Sequence, residues 1–256
     1  MSKRVQLTVA YDGTNYCGWQ FQPDKPTIEG ELNKHLSNLL GEEIQVIGAS
    51  RTDAGVHALC NAAVFDTKNR MPADKISYAL NQRLPEDITI QESKEVPEDF
   101  HPRHCESKKT YEYRITRGQF PVPTKRLYSY FTYHKLNVEG MKRAATYLEG
   151  EHDFKSFCSV KAVVETTVRK IHTLEVLEQG EDIVIRVCGN GFLYNMVRII
   201  AGTLMEVGKG AIAPETVQDI LEGCDRQLAG PTAPAHGLML VKYEFFPNGG
   251  CEKLEK

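Results

Sequence analysis

The chain has 256 residues, of which 41% are hydrophobic and 25% are charged, and its formal net charge is −3. This length allows a sizeable core, as one large domain or two smaller lobes, and this composition excludes an intrinsically disordered protein. No apolar run approaches the roughly 20 residues that cross a bilayer, and the N-terminus has no stretch typical of a signal peptide. We therefore expect a cytoplasmic globular protein.

Strands and helices alternate in the first half. Apolar and polar residues alternate at 5–9, which predicts a strand. Thr27 is followed by an apolar stripe at helical spacing, Ile28, Leu32, Leu36 and Leu39, which predicts a helix. The Thr27 hydroxyl can cap this helix and Gly41 can end it. Further elements are predicted as strands near 44–47 and 62–65, a helix at about 74–83 and a strand from residue 88.

The second half repeats this rhythm. Residues 168–177 and 182–187 alternate like antiparallel strands joined at Gln179 and Gly180, and Asn137 can cap a helix that ends before Gly150. The remaining predicted elements are β-rich runs at 110–116 and 126–133, helices at about 192–207 and 214–221, and a strand at 238–245.

Each half thus follows an order resembling a β-α-β-β-α-β unit. We predict an α+β fold of two ferredoxin-like lobes that share a continuous antiparallel sheet, with helices on one face and a cleft between the lobes. The N-terminal lobe is predicted to span residues 1–104, and the C-terminal lobe residues 105–247. The polar residues 248–256 are predicted to form a flexible tail.

The seven cysteines are scattered and include no Cys-x-x-Cys pair, which indicates a reducing compartment rather than a disulfide framework or a zinc ribbon. The nearest approach to a metal-ligand cluster is His101, His104 and Cys105. Two histidines at this spacing without a second ligand pair are more typical of surface or packing residues. We therefore expect no metal site.

Positive charge is concentrated between residues 101 and 126. This basic window holds seven basic residues against two acidic ones, a balance of +5 within a mildly acidic chain. An acidic partner could bind there, although a solvated strand-and-loop face explains the charge equally well. The basic residues are Arg103, Lys108, Lys109, Arg114, Arg117, Lys125 and Arg126.

The most informative stretch is residues 48–58, in which small residues surround Asp53. Backbone or a ligand can approach such a carboxylate closely. Arg51, two positions earlier, would share the face of Asp53 in an extended chain. Because Asp and Gly are ordinary turn residues, a simple turn is an alternative interpretation.

Residues 51–58, Arg-Thr-Asp-Ala-Gly-Val-His-Ala, resemble the active-site motif of the tRNA pseudouridine synthase A family, whose Asp is the nucleophile. Other segments resemble family motifs in the same order, so the resemblance covers about residues 5 to 245. Two positions depart from the family pattern: Asn195 stands where His is expected, and Glu112 where a basic residue is common. The further matching segments are residues 11–20, 100–103, 109–114, 152–158, 189–198 and 235–238.

The resemblance implies an isomerase that detaches uracil N1 from the ribose, rotates the base and reattaches it through C5. This reaction is redox-neutral, so no cofactor is expected, and the chain lacks phosphate-loop and dinucleotide motifs. Asp53 would be the nucleophile in its ionised form, and a free Asp has a pKa near 3.9. Arg51 belongs to the same motif and is a second catalytic candidate.

Three residues of the second half match other family site positions. Arg198 matches the basic partner of the nucleophile, although an arginine on an amphipathic helix can simply extend to solvent. Tyr111 matches the tyrosine that stacks on the target base and helps in removal of the C5 proton, although sheet packing is an alternative. Leu238 matches an apolar wall near the uracil, or is an ordinary core leucine.

The family modifies uridines 38 to 40 (tRNA numbering) of the anticodon stem-loop, as a homodimer in which one tRNA contacts both subunits. The predicted cleft would then bind RNA and receive a flipped-out uridine. Arg103, Lys108, Lys109 and Arg114 are candidates for phosphate contacts. We expect tRNA as the partner, with no membrane and no small-molecule cofactor.

Three alternatives remain open at this level. The first is a non-catalytic RNA-binding protein, which would have no use for the Asp53 carboxylate. The second is an Asp-dependent hydrolase or transferase of small molecules, which the basic window and the lack of a paired carboxylate disfavour. The third is a pseudouridine synthase that acts on other tRNA positions or on another RNA.

Overall fold

The computed structural model describes residues 2–160 and 165–246. These residues form ten β-strands and five α-helices, which confirms the predicted α+β class. The chain divides into two compact units. The N-terminal unit comprises Met1–Ser107 and Leu240–Lys256, and the C-terminal unit comprises Lys108–Met239.

The N-terminal unit contains a ferredoxin-like arrangement of four strands and two helices. Strand β1 lies between β4 and β3 and is antiparallel to both, and β2 pairs with β3. A last strand, β10 (Leu238–Phe245), also lies beside β3. In chain order the elements are β1 (Lys3–Tyr11), α1 (Ile28–Leu40), β2 (Ile47–Gly48), β3 (His57–Thr67), α2 (Ala73–Asn81) and β4 (Ile88–Val96).

Helix α1 forms for the reasons that its sequence predicts. The Thr27 hydroxyl accepts a hydrogen bond from the Gly30 amide, and Gly41 ends the helix in the left-handed conformation at φ 71°. The apolar stripe at helical spacing is buried, which gives the helix one face in the core. The buried residues are Ile28, Leu32, Leu36 and Leu40. Leu39, which was predicted as the last member of the stripe, is half-buried, and Leu40 takes its place in the core.

The C-terminal unit contains a second sheet-and-helix arrangement. Strand β5 pairs with β9, β9 with β8, and β8 with β7, all antiparallel, whereas the short β6 is parallel to β5 and departs from the predicted antiparallel pattern. The elements are β5 (Ser107–Arg117), β6 (Tyr130–Thr132), α3 (Val138–Thr146), β7 (Gly150–Asp153), β8 (Val168–Gln179), β9 (Asp182–Gly189), α4 (Met196–Gly208) and α5 (Thr216–Glu222), with short 3-10 helices at Pro123–Lys125, Lys155–Phe157 and Ala235–Gly237.

Several predicted elements are shorter in the structure; the β-rich run predicted at 126–133, for example, contains only the strand Tyr130–Thr132. The strand predicted at 44–47 is reduced to Ile47–Gly48, because the backbone amides of Ile44 and Val46 bond to side chains of α1 instead of a neighbouring strand. The helix predicted from residue 192 begins at Met196, because Asn195 adopts the left-handed conformation at φ 61°.

The division into units also differs from the predicted lobes. Residues 240–245 were expected in the C-terminal lobe, but they group with the N-terminal unit because β10 lies beside β3. The predicted tail, residues 248–256, lies outside the described residues, and the predicted cleft stays a prediction. Within the described part of the chain, no helix is both long and apolar enough to cross a membrane.

Candidate active site

The loop of residues 49–56, which we call the Asp53 loop, connects β2 to β3. Asp53 is half-buried and Arg51 is exposed. The Val56 amide donates to the Asp53 carbonyl at 3.2 Å, and Gly55 has a φ of 76°, so the predicted turn is present. The presence of a turn does not exclude a functional role for Asp53, because the turn places its carboxylate at a bend of the main chain.

Two strands hold this loop from within the N-terminal unit. The hydroxyls of Tyr11, on β1, and Thr52 are 2.7 Å apart, and the Asn61 side-chain amide, on β3, donates to the Ser50 carbonyl at 2.9 Å. Burial raises the pKa of Tyr11, so its hydroxyl stays protonated and able to donate. These contacts fix the residues that immediately precede Asp53.

The N-terminal motif, residues 11–20, lies against the same loop. The Trp19 amide donates to the Thr52 carbonyl at 3.0 Å, and a Cβ on Gly18 would lie 2.6 Å from that oxygen. A Cβ on Gly13 would lie 2.1 Å from the Val56 carbonyl oxygen, so backbone meets backbone at this point. The glycines of this motif therefore serve the close packing of two loops.

The other members of the predicted site in this unit have specific partners. Arg51 Nη1 lies 3.4 Å from Gln20 Oε1. Arg103 Nε donates to the Gly48 carbonyl at 2.7 Å, directly before the Asp53 loop, although the side chain is exposed. His101 and His104 stack with ring centroids 3.9 Å apart, and within the described residues no group of three or more His, Cys, Asp or Glu could hold a metal.

Tyr111 and Tyr113 lie on one buried face of β5 in the C-terminal unit. Tyr111 is 7% exposed and makes an edge-on contact with Phe192 at 5.3 Å. Tyr113 is fully buried, and its hydroxyl donates to the Pro234 carbonyl at 3.0 Å. Sheet packing thus accounts for Tyr113, while the role of Tyr111 in base stacking stays a prediction.

Arg198 is half-buried in α4 and does not simply extend to solvent. Its Nε donates to the Ala233 carbonyl at 2.7 Å, and its Nη1 donates to Asn195 Oδ1 at 2.8 Å. Asn195, which departs from the family pattern, therefore holds the guanidinium from the start of the helix. The direction of Arg198 is fixed by two acceptors.

Leu238 is buried at the start of β10, after a segment that packs tightly on α4. A Cβ on Gly202 would lie only 1.7 Å from the Pro231 carbonyl oxygen, so this helix position admits no side chain without a shift. The Ala233 amide also donates to the Arg198 carbonyl at 3.0 Å. The segment that precedes Leu238 is therefore anchored by the same helix that carries Arg198.

Several cations of the basic window pair with acids that lie outside it. Asp182 is close to Lys125 (2.9 Å) and Arg114 (3.5 Å), and Arg117 pairs with Glu178 at 3.0 Å. A balance of +5 counted along the chain therefore overstates the local positive charge. Glu112, the second departure, receives two hydrogen bonds from Arg186 on the neighbouring strand.

The Asp182 cluster yields a pH prediction. Burial acts to raise the pKa of this carboxyl, but hydrogen bonds from Lys125 and Thr116 outweigh it and lower the pKa below its usual value. Asp182 therefore stabilises the fold above its unfolded pKa, and this stabilisation is lost as pH falls through the folded pKa. We expect Asp182→Asn to lower the free energy of unfolding by about 2 kcal/mol at pH 7.

Urea denaturation of both proteins at pH 7 and near pH 3 measures this effect. The difference between wild type and variant is expected to shrink at the lower pH, because the Asp182 carboxyl of the unfolded wild-type chain then takes up a proton more readily than that of the folded protein. A difference that stays constant over this range would contradict the assignment of the ionised pair.

The structure thus places the predicted site residues in two sets. Asp53 and Arg51 belong to the N-terminal unit, whereas Tyr111, Arg198 and Leu238 belong to the C-terminal unit. Sequence reasoning missed four supporting residues, because the local pattern around each one does not show which residue it holds. They are Tyr11, Asn61, Asn195 as an acceptor, and Phe192.

Comparison with known proteins gives matches over most of the chain. A family model described as "tRNA pseudouridine synthase" matches residues 7–104 and 144–245. A tRNA pseudouridine synthase A of Thermoanaerobacter sp. (strain X514) is 46% identical over 241 residues, which cover 94% of this chain and 98% of that protein. A protein of the same name from Acetivibrio thermocellus is 47% identical over 240 residues, with the same coverage.

Among solved structures, a chain of a Cbf5-Nop10-Gar1 complex matches with a TM-score of 0.35 and 14% identity, covering 93% of this chain and 58% of that one. A likeness at this level adds nothing to the sequence matches.

Proposed function

Because the chain belongs to the tRNA pseudouridine synthase A family, we propose that it converts uridines at positions 38–40 (tRNA numbering) of the tRNA anticodon stem-loop to pseudouridine. The observation that carries this proposal is the 46–47% identity to relatives of that name, over 98% of their length. The enzyme is accordingly an isomerase with tRNA as its substrate.

Asp53 is proposed as the nucleophile of this reaction. The bond between the ribose C1′ and N1 breaks, a bond between C1′ and C5 forms, the C5 proton leaves and N1 gains a proton. A carboxylate that forms a covalent adduct divides this isomerisation into easier steps. The half-buried position of Asp53, on a loop held by buried hydrogen bonds, supports the assignment.

The remaining site residues are proposed from the family motifs that they match. Arg198 would favour the ionised form of the nucleophile, as its match to the family's basic partner suggests. Two acceptors within its own unit, the Ala233 carbonyl oxygen and Asn195 Oδ1, hold the guanidinium in place. Tyr111 would stack on the extruded uracil, a contact that contributes about 1–3 kcal/mol. Leu238 would provide an apolar wall for the base, and Arg51 would assist Asp53.

Contacts to the tRNA backbone are proposed for Arg103, Lys108 and Lys109, with Arg114 as a weaker candidate. Arg103 is exposed and the two lysines are half-exposed, whereas Arg114 lies near the carboxylates of Asp182 and Glu112. Contacts of this kind position the RNA without reading its sequence. The target uridine is proposed to flip out of the stack, because its reacting atoms are unreachable inside a helical stem.

A homodimer and a location in the cytoplasm complete the proposal. The homodimer comes from the resemblance to the family, in which one tRNA contacts both subunits, and the location comes from the expectation drawn from the sequence. Sedimentation of the purified protein with and without tRNA tests the first point.

The phosphate contacts predict a steep salt dependence of tRNA binding. Each contact contributes about −0.7 to −0.9 to the slope of log K against log salt. We expect Lys108→Ala/Lys109→Ala to reduce that slope by about 1.5, measured by filter binding between 50 and 200 mM salt. Arg103 is left unchanged because it also holds the Gly48 carbonyl.

Lys142→Ala is the control for this experiment, because Lys142 is an exposed residue of α3 that bonds to Glu139. It is expected to keep the wild-type slope. An unchanged slope in the double variant would remove Lys108 and Lys109 from the tRNA interface.

The test of the proposed function is tritium release from tRNA that carries uridines labelled at C5. Release by the wild-type protein, lost when positions 38–40 are replaced by cytidine, is the expected result. Release that persists in the replaced tRNA would favour a synthase of other positions. Binding without any release would favour the RNA-binding alternative.

A further inference from the structure

A small polar network lies beneath the Asp53 loop in the N-terminal unit. The Tyr11 hydroxyl meets Thr52 Oγ1 at 2.7 Å, and Asn61 Nδ2 lies 2.9 Å from the Ser50 carbonyl and 3.4 Å from the Tyr11 hydroxyl. All of these residues are buried, with Asn61 fully inaccessible. Residues 50 and 52, which flank Arg51, are therefore both held by hydrogen bonds to residues of β1 and β3.

The same loop is fixed from its other side by the N-terminal motif. The Thr52 carbonyl accepts from the Trp19 amide, so Thr52 is held through its side chain and its main chain together. Trp19 is fully buried and its ring lies 5.9 Å from that of Tyr11. Asp53 directly follows Thr52, so these contacts hold the residue immediately before the proposed nucleophile.

We propose that Tyr11 and Asn61 are positioning residues of the isomerisation, which act through Thr52 and Ser50 to present the Asp53 carboxylate in one place. The proposal rests on the assignment of Asp53 as the nucleophile. Neither residue needs to touch the RNA. A displacement of a reacting group by about 1 Å can lower the rate about a hundredfold. Hydrogen bonds that hold the neighbouring main chain in place therefore help to maintain the reaction rate.

The polar character of these residues supports a role beyond packing. A phenylalanine would fill nearly the same volume as Tyr11 without a hydroxyl to desolvate, and burying an unpaired hydroxyl costs free energy. The two hydroxyls are instead hydrogen-bonded to each other. They belong to the two motifs at residues 11–20 and 51–58, whose choice of residues is not explained by overall composition. Hydrogen bonds of this kind specify one arrangement of a loop.

The test is a pair of nearly isosteric substitutions that delete one hydrogen bond from either end. Tyr11→Phe and Thr52→Val are each expected to lower kcat for tritium release by about tenfold, with KM and the Kd for tRNA unchanged. The double variant is expected to be no slower than the slower single variant, because both remove the same interaction. Thr52→Ser keeps the hydroxyl and is expected to retain nearly full kcat.

Thr67→Val is the matched control for Thr52→Val. Thr67 is a buried threonine on β3 whose hydroxyl donates to Glu42 at 2.7 Å, so the substitution deletes a comparable bond elsewhere in the unit. It is expected to lower Tm but to leave kcat unchanged. If Tyr11→Phe fails to fold, the comparison of Thr52→Val with Thr52→Ser still decides the question.

Two results would overturn the proposal. The first is a loss of Tm in Tyr11→Phe and Thr52→Val with wild-type kcat, which would make the network purely structural. The second is a change confined to KM or Kd, which would assign it to substrate binding. Release by the wild-type protein is measured beforehand, so a failure of the proposed function is distinguished from a failure of this inference.

Discussion

Asp53→Asn is expected to abolish pseudouridine formation and to leave tRNA binding intact. Asparagine has nearly the same shape as aspartate, so the hydrogen bonds of Ser50 and Thr52 that hold the loop are retained. The amide carries no negative charge and is a poor nucleophile, so the covalent step is lost. We expect the rate of tritium release to fall by at least about a thousandfold, equivalent to about 4 kcal/mol of transition-state stabilisation.

The control for this substitution is Asp66→Asn. Asp66 is a carboxylate of the same unit that forms an ion pair with Arg4 and has no proposed role in the reaction. Wild-type release is expected in this variant, with a small loss of stability because the pair is partly exposed. Release retained by both Asp53→Asn and Asp53→Ala would show that another group attacks the uridine.

The fold was largely predictable where one strong local pattern decides the structure. Helix α1 has a capping threonine, an apolar stripe and a terminal glycine, and the structure confirms each. The hairpin of β8 and β9 and the last strand, β10, are present where alternation of apolar residues predicts them. Such patterns depend on residues that are close in the sequence, so they can be recognised without knowing which distant segments come into contact.

Predictions failed where distant side chains decide the backbone conformation. Residues 44–46 contain alternating apolar residues, yet their amides bond to Asn33 and Ser37 on α1. Strand β7 was not predicted, because its sequence, Gly-Glu-His-Asp, has no apolar alternation. The basic window illustrates the same limit for charge, since Asp182 and Glu178 approach it only through the pairing of strands.

The candidate site also has a part that the sequence predicts and a part that it does not. The motif around Asp53 was identifiable because its residues are contiguous, and the resemblance gives the carboxylate a role. The partners that hold the motif were not identifiable: Tyr11 precedes Thr52 by 41 residues, and Asn61 lies within an ordinary strand pattern. Asn195 was noticed only as a departure, and its hydrogen bond to Arg198 gives it a physical role.

Gly202→Ala is expected to be the most destabilising of the small substitutions in the C-terminal unit. The added methyl group would lie 1.7 Å from the Pro231 carbonyl oxygen and 3.4 Å from the Ala233 amide nitrogen, so backbone must move. Alanine favours a helix over glycine by about 1 kcal/mol, but overpacking against a fixed backbone costs more. We expect a net loss of about 3 kcal/mol in the free energy of unfolding, measured in urea.

Tritium release is also expected to fall, because the displaced segment carries one of the two acceptors of Arg198 and the acceptor of Tyr113, and leads into Leu238. Gly208→Ala is the control in the same helix, where the added methyl group meets chiefly the flexible Met141 side chain and two atoms of Leu136. A smaller loss of stability is expected there, with release unchanged. A gain in stability for Gly202→Ala, as helix propensity alone predicts, would show that residues 231–234 do not lie against α4 as in the structure. The hydrogen bond from Arg198 to the Ala233 carbonyl would then also be in question.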